Sequence, residues 1–181
     1  MHLKIANIVL DPRCGGPHGR IIQVAKKLKN HGIETIVIMP KKDSALFSSQ
    51  LIKEGIEVRK LNLHRLTKYK RHLFFWFLCF IPELFALYRC LKRENIDLVY
   101  CNAPWQMKGI IAARMARRKV IWHINDTEIP NAIKIIFYLV AHLSNGFILT
   151  GNRVKEFYFN NKKISTKKHV QIQAPVDCSR F

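Results

Sequence analysis

Short apolar runs alternate along this chain with longer stretches in which apolar residues recur at helical spacing. The apolar runs predict strands at residues 3–10, 33–39, 56–61, 97–101, 119–123, 146–150 and 170–173. The stretches of helical spacing predict helices near residues 17–30, 45–54, 72–94, 105–117 and 132–143. The strands are apolar throughout, which is typical of a parallel sheet covered by helices on both faces. The pattern therefore predicts an α/β fold: a single Rossmann-like, doubly wound, mainly parallel sheet.

The predicted topology also indicates where a ligand would bind. Open sheets of this kind bind ligands beyond the carboxyl ends of their strands. We therefore expect the loops that follow Leu10, Cys101, His123 and Thr150 to line one cleft.

Length and composition limit the architecture to one domain, because 181 residues of which 49% are hydrophobic can build one sizeable core but not two. The most apolar segment, residues 73–91, is interrupted by Pro82, Glu83 and Arg89, so it is not expected to span a bilayer. The start of the chain lacks a signal-peptide pattern. The five cysteines are odd in number and never form a C-x-x-C pair, which favours neither disulfides nor zinc. We expect a cytoplasmic protein.

The charge balance predicts an anionic partner, since 31 Lys and Arg against 12 Asp and Glu give a formal net charge of +19. Residues 59–71 carry basic side chains without an acidic one and directly precede the aromatic-rich segment. This arrangement suits peripheral contact with an anionic membrane at its inner face, although a solvated charged face beside a core helix would look the same. The aromatics do not alternate with the cations, so we expect no nucleic-acid partner.

The glycine-containing loop Gly-Gly-Pro-His-Gly-Arg at residues 15–20 follows the first strand and opens the first helix. Unpaired backbone N–H groups and the helix dipole favour an anion there, and Gly15 and Gly16 would let a phosphate approach closely. A tight turn without a ligand is the alternative. Arg20 is a cation in the first helical turn, which is unfavourable without an anionic partner. The dinucleotide fingerprint fails at Cys14, so we do not expect NAD binding.

Polar side chains follow two further strands. His123 ends its strand and Asp126 follows shortly after, so an imidazole and a carboxylate can meet a substrate hydroxyl. Asn102, after the fourth strand, offers an amide that can bind a sugar. The structural alternatives are a core histidine, a helix cap at Asp126 and turn chemistry at Asn102. No P-loop, Ser-His-Asp order or metal-ligand spacing supports an NTPase, a hydrolase or a metal site.

The order of these segments resembles the N-terminal domain of glycosyltransferase family 4, the retaining GT-B enzymes. The resemblance runs from residues 15–20 through 96–102, 122–126 and 146–150 to residues 174–181, Ala-Pro-Val-Asp-Cys-Ser-Arg-Phe. The last stretch is similar to the family's hinge sequence N-G-V-D-x-x-x-F, with Ala174-Pro175 in place of Asn-Gly. The resemblance implies a Rossmann-like N-terminal domain at residues 1–174 and the start of a hinge at 175–181, leading to a C-terminal domain that this sequence does not contain.

The resemblance also implies a function: a hexosyltransferase half that binds a sugar acceptor for cell-envelope or lipid-linked glycan synthesis. The nucleotide-sugar donor would be a substrate held mainly by a C-terminal half, without which the chain would be inactive, and neither a further cofactor nor a metal is expected. A non-catalytic acceptor- or membrane-binding module is the alternative. The residues that the resemblance assigns are catalytic His123 and substrate-binding Gly15, Gly16, Arg20, Asn102 and Asp126.

Overall fold

A computed structural model describes residues 3–13, 15–65, 70–127, 129, 131–160, 164 and 166–173. The strands are β1 (Leu3–Ile8), β2 (Ile33–Pro40), β3 (Glu57–Leu61), β4 (Leu98–Asn102), β5 (Lys119–Ile124), β6 (Gly146–Leu149) and β7 (His169–Gln171). The helices are α1 (Gly16–Asn30), α2 (Ala45–Lys53), α3 (Lys70–Leu78), α4 (Phe80–Arg93), α5 (Met107–Met115), α6 (Asn131–Ala141) and α7 (Asn152–Phe159).

The seven strands form one sheet in the order β3-β2-β1-β4-β5-β6-β7, and every neighbouring pair is parallel. This confirms the predicted doubly wound α/β fold. The strand order reverses between β1 and β4, and in such sheets the crevice at the reversal is where ligands bind. The predicted hinge at residues 174–181 lies outside the described residues.

Each face of the sheet contributes to a separate hydrophobic cluster, because successive side chains of a strand point to opposite faces. Val9, Val37 and Met39 pack with α1 and α2 in the smaller cluster. Ile8, Val99, Trp122 and many others pack with helices α4 to α7 in the larger one. The helices therefore change face at the point where the strand order reverses, as right-handed crossovers require.

Two details of the secondary structure differ from the prediction. The single helix expected at 72–94 is two helices, α3 and α4, with Cys79 between them. Pro82 lies in the first turn of α4, where its missing N–H is tolerated, whereas in a continuous helix its ring would clash with the carbonyl of Leu78.

None of the helices in the described part of the chain has the length and hydropathy needed to span a membrane.

The sequence analysis also missed α7. The segment Asn-Arg-Val-Lys-Glu-Phe-Tyr-Phe is only eight residues long and polar at its start, so its period is weak. Val154, Tyr158 and Phe159 are buried, and packing against the sheet stabilises the helix more than local propensity does.

Gly109 in α5 lies closely packed against the sheet. A Cβ built there would lie 2.8 Å from Cys101 Sγ and 3.1 Å from Ile8 Cδ1. We expect Gly109→Ala to lower the free energy of unfolding by about 1–3 kcal/mol, measured by urea denaturation, because overpacking outweighs the better helix propensity of alanine. Gly19→Ala in α1 is the matched control: a Cβ there meets nothing within 4 Å, so it should stabilise by up to about 1 kcal/mol. Equal effects of the two substitutions would contradict the packing argument.

Candidate functional site

The register of the parallel sheet gathers four polar side chains on the face that α1 covers. Asn102 pairs with His123, and Asn7 pairs with Tyr100. Register partners in a parallel pair share a face, and Tyr100 and Asn102 are two positions apart on one strand, so all four side chains point the same way. They lie near the carboxyl ends of β1, β4 and β5, at the crevice where the strand order reverses.

Arg20 of α1 joins these side chains together. Its Nη1 lies 3.0 Å from His123 Nε2, and its Nη2 donates to Asn102 Oδ1 at 3.2 Å. The amide of Asn102 in turn donates to Asn7 Oδ1 at 2.5 Å. The Arg20 cluster, defined as Asn7, Arg20, Tyr100, Asn102 and His123, thus links the first helix to three strands.

The protonation of His123 follows from its partners. A guanidinium only donates, so Nε2 must accept from Arg20, and the proton of the neutral ring is therefore on Nδ1. Nδ1 lies 2.5 Å from the hydroxyl oxygen of Tyr100, and that oxygen accepts a hydrogen bond from the Nδ1–H group. Burial, reinforced by the positive charge of Arg20, lowers the pKa of His123 to about 3. His123 is therefore a neutral imidazole at physiological pH, with its reactive lone pair covered by Arg20.

Arg20 itself has unusual surroundings for a cation. Burial lowers its pKa, and Tyr100 partly opposes that shift. Burial also raises the pKa of Tyr100 to about 12, against the opposing charge of Arg20, so the phenol stays neutral. Within the described ranges no carboxylate forms an ion pair with Arg20, whose acceptors, His123 and Asn102, are both uncharged. A half-buried guanidinium without a counter-ion is a site for an anionic ligand.

The amino end of α1 lies beside this cation. Gly15 is the N-cap residue, no side chain caps the helix, and its first turn contains no acidic residue. Gly15 has extended backbone (φ −173°) that any residue can adopt, and a Cβ there would come no closer than 3.9 Å to another residue's atoms. Neither the backbone conformation nor the space around residue 15 therefore requires a glycine, so a tight turn does not explain the glycine there. Close approach of a ligand to the backbone is the remaining explanation. Gly16 begins the helix.

The loop after β4 fixes the position of Asn102. Ala103 has a positive φ of 69°, a left-handed conformation that is costly for a residue with a side chain. Its N–H donates to the His123 carbonyl at 2.9 Å, and its own carbonyl accepts from Trp122 Nε1 at 2.8 Å. These two bonds hold the strained residue and keep the ends of β4 and β5 together.

The structure thus brings His123, Arg20 and Asn102 into direct contact and places Gly15 and Gly16 at the start of the same helix as Arg20. Asp126 is exposed and lies just beyond β5. Burial raises the pKa of Tyr158 in α7, and the negative charge of Asp126 raises it further. The roles assigned to these residues remain predictions.

Sequence reasoning missed Asn7 and Tyr100. Asn7 was visible as an uncharged polar residue between apolar neighbours in the first strand, and Tyr100 lies two positions before Asn102 and so on the same face. Both signals become specific only once the strand order is known.

The protonation of His123 predicts how stability depends on pH. The unfolded chain takes up a proton at His123 below about pH 6.5 and the folded chain does so only near pH 3, so stability falls as the pH drops through this window. The slope attributable to this one group is at most about 1.4 kcal/mol per pH unit. We expect His123→Gln to lose less stability than the unaltered chain between pH values of about 7 and 5, measured by urea denaturation. Parallel losses in the two proteins would show that His123 is not held neutral.

The parallel sheet and the cluster at its carboxyl edge define an α/β domain of the kind that makes up one half of a GT-B glycosyltransferase. The family model described as Glycosyltransferase Family 4 matches residues 14–180, and the chain belongs to that family. No curated protein matches the chain.

Solved structures support the fold assignment. The lipopolysaccharide outer core galactosyltransferase WaaB is 16% identical with a TM-score of 0.66, over 96% of this chain and 46% of that one. MurG from Acinetobacter baumannii is 13% identical with a TM-score of 0.63, over 84% and 42%. MnaA from S. aureus, solved with UDP, is 15% identical with a TM-score of 0.67, over 93% and 44%. At these identities the likeness shows the fold alone, and the chain spans less than half the length of each protein.

Proposed function

We propose that this chain is the acceptor-side half of a retaining hexosyltransferase, which transfers a sugar from a nucleotide-sugar donor to a cell-envelope or lipid-linked saccharide. Membership of glycosyltransferase family 4 supports the transferase class. The observation that carries the proposal is the contact of Arg20 with His123 beside the uncapped amino end of α1. One edge of the sheet thus combines an anion site with an imidazole.

The anion site suits a phosphate of the donor. Arg20 has charge without a described counter-ion, and the first backbone N–H groups of α1 are free of side-chain caps. A phosphate there would gain charge-assisted hydrogen bonds as well as the favourable end of the helix dipole. Gly15 and Gly16 would let it approach the backbone.

His123 would act on the sugar. Its Nε2 is covered by Arg20 in the ligand-free chain. When a phosphate binds the guanidinium of Arg20 in place of His123, the Nε2 lone pair becomes available to a sugar hydroxyl near the reacting carbon. Asn102 and Asp126 would bind further hydroxyls of the sugar. The donor phosphate thus prepares the histidine for the sugar. No cofactor other than the donor substrate, and no metal, is required for these steps.

Turnover would need a second half. The chain spans less than half the length of the similar GT-B proteins, and in such enzymes the reaction takes place between two Rossmann-like lobes. We therefore propose that a donor-binding lobe, in the same or another polypeptide, supplies most of the stabilisation of the departing phosphate. The chain without it is expected to bind the acceptor without transferring sugar.

A transfer assay tests the proposal. The chain is mixed with a candidate donor-binding domain, labelled nucleotide sugars and a lipid-linked saccharide, and label is expected in the saccharide only when both halves are present. Saccharide binding without transfer in every pairing would instead favour the non-catalytic acceptor-binding module.

An exposed apolar surface supports a membrane-bound acceptor. The aromatic patch is defined here by five side chains of α3 and α4 that are 44–64% exposed: Phe74, Phe77, Leu78, Ile81 and Phe85. Because β3 ends at the carboxyl edge and α4 returns the chain to the start of β4, α3 lies toward the edge that holds the Arg20 cluster. Large exposed apolar patches mark interaction surfaces, and the net charge of +19 favours an anionic membrane over a protein of neutral surface.

Vesicle binding tests the patch. We expect the chain to bind vesicles containing phosphatidylglycerol more tightly than vesicles of phosphatidylcholine alone, in a sedimentation assay. Phe74→Ser combined with Phe77→Ser should weaken binding about tenfold or more, because about 1.4 kcal/mol of lost apolar burial is a factor of ten. Leu46→Ser in α2, which removes a side chain that is 73% exposed and lies outside the patch, is the control. Equal weakening by the control would contradict a localised membrane surface.

A further inference from the structure

Glu83 is a buried carboxylate on the opposite face of the sheet from the Arg20 cluster, and several groups surround it. Lys108 Nζ, which is fully buried, donates to its Oε2 at 2.6 Å. The backbone N–H of His64 donates to Oε1 at 3.0 Å, and the Nδ1 of the same histidine lies 2.5 Å from that oxygen. One oxygen of Glu83 is therefore held by a lysine, while the other faces a histidine.

A cysteine completes the group. Cys79 directly precedes α4, and the N–H of Glu83 donates to its carbonyl at 3.1 Å, so the two residues lie one helical turn apart. Side chains four positions apart on a helix face the same side. His64 comes from the connection after β3, and the ligand atoms of His64, Cys79 and Glu83 all lie within 4.8 Å of one another. The tertiary structure thus brings His64 to two residues with which no sequence spacing connects it.

The chemistry of this set is specific. A neutral imidazole, a thiolate and a carboxylate are the ligands that zinc takes in proteins, whereas calcium and magnesium prefer oxygen alone. Zinc holds such ligands at about 2.0–2.3 Å, so His64 Nδ1 and Glu83 Oε1, which lie 2.5 Å apart, would need to separate by about 1 Å to admit the ion. The two negative ligands balance the charge of a divalent ion.

Lys108 fits the role of a supporting residue. By binding Oε2 it orients the Glu83 carboxylate and leaves Oε1 directed at His64. Burial lowers the pKa of Lys108, and its electrostatic interaction with Cys79 offsets part of that shift. The ammonium therefore lies close to both acidic ligands of the proposed ion.

We propose that His64, Cys79 and Glu83 form a zinc site with a fourth position open to water. His64 is exposed and Cys79 is half-buried, so an ion can enter from solvent. Bound zinc would fasten the connection after β3 to the start of α4, beside the aromatic patch. The site is independent of the proposed sugar transfer and departs from the sequence-based expectation that the chain has no metal.

Titration with cobalt tests the site, because cobalt replaces zinc and its bond to a thiolate gives a charge-transfer absorption band. The metal-free chain is titrated with Co²⁺ alone, then with Zn²⁺ in competition with a chelating dye. We expect a thiolate-to-cobalt band that zinc abolishes at equimolar ratio. Cys79→Ser should remove the band and weaken zinc binding at least about tenfold, and His64→Ala should weaken binding similarly.

Matched variants keep the test decisive. Cys90→Ser replaces a buried cysteine elsewhere in α4 and His142→Gln an exposed histidine, and both should retain the band and the affinity within about twofold. Circular dichroism confirms that each variant is folded before titration. Cobalt binding without a thiolate band, or a band that survives Cys79→Ser, would overturn the proposal.

Discussion

Replacing Glu83 by alanine is expected to lower the free energy of unfolding by about 3–5 kcal/mol, because it leaves the charge of Lys108 buried and unpaired. The side chain of Lys108 is 0% exposed and that of Glu83 is 4% exposed. The faces of Trp76 and Phe80, at 4.7 and 5.6 Å from the ammonium, offset only part of this cost. Urea denaturation in the presence of a metal chelator measures the effect without any contribution from bound zinc.

Two comparisons separate the buried charge from other causes. Glu54→Ala breaks the pair between Lys26 and Glu54, whose side chains are 56% and 37% exposed, and should cost far less stability than Glu83→Ala because solvent screens that pair. Glu83→Leu combined with Lys108→Met removes both charges and should recover most of the loss. If the double variant were as unstable as Glu83→Ala, the loss would reflect packing and not an unpaired charge.

Replacing His123 by alanine is expected to lower the rate of sugar transfer about 10²–10⁴-fold, the usual contribution of a positioned acid or base. The substitution removes the Nε2 lone pair that Arg20 covers in the ligand-free chain. The rate is measured with the donor-binding half present and with labelled nucleotide sugar at saturation. A loss in kcat is expected because the contact acts on the reacting sugar, whereas a change in KM alone would indicate a binding role.

The matched control is His142→Gln, which alters an exposed histidine outside the cluster and should leave transfer unchanged. Arg20→Ala should instead weaken donor binding, because it removes the cation proposed to meet the phosphate. Retention of full activity in His123→Ala would contradict the proposed role of the imidazole while leaving the family assignment intact.

Much of the fold was predictable because strand and helix signals are local. The apolar run at β5 and the residues following it placed His123 at the carboxyl end of a strand, and doubly wound topology placed that end at a cleft. Local signals failed where burial decided the outcome. The segment of α7 is too short to show a clear period, and the break at Cys79 depends on how Pro82 is accommodated.

The sequence by itself determined the class of fold, the edge of the sheet at which chemistry would occur, and Arg20, Asn102 and His123 as candidates. Only the tertiary structure decided that Arg20 reaches a histidine 103 positions away and that the hydroxyl of Tyr100 accepts a hydrogen bond from that ring. It likewise decided that Lys108 is buried against Glu83 beside His64 and Cys79. The physical reason is that periodicity records which way a side chain faces, whereas strand order, register and packing decide which distant side chain it meets.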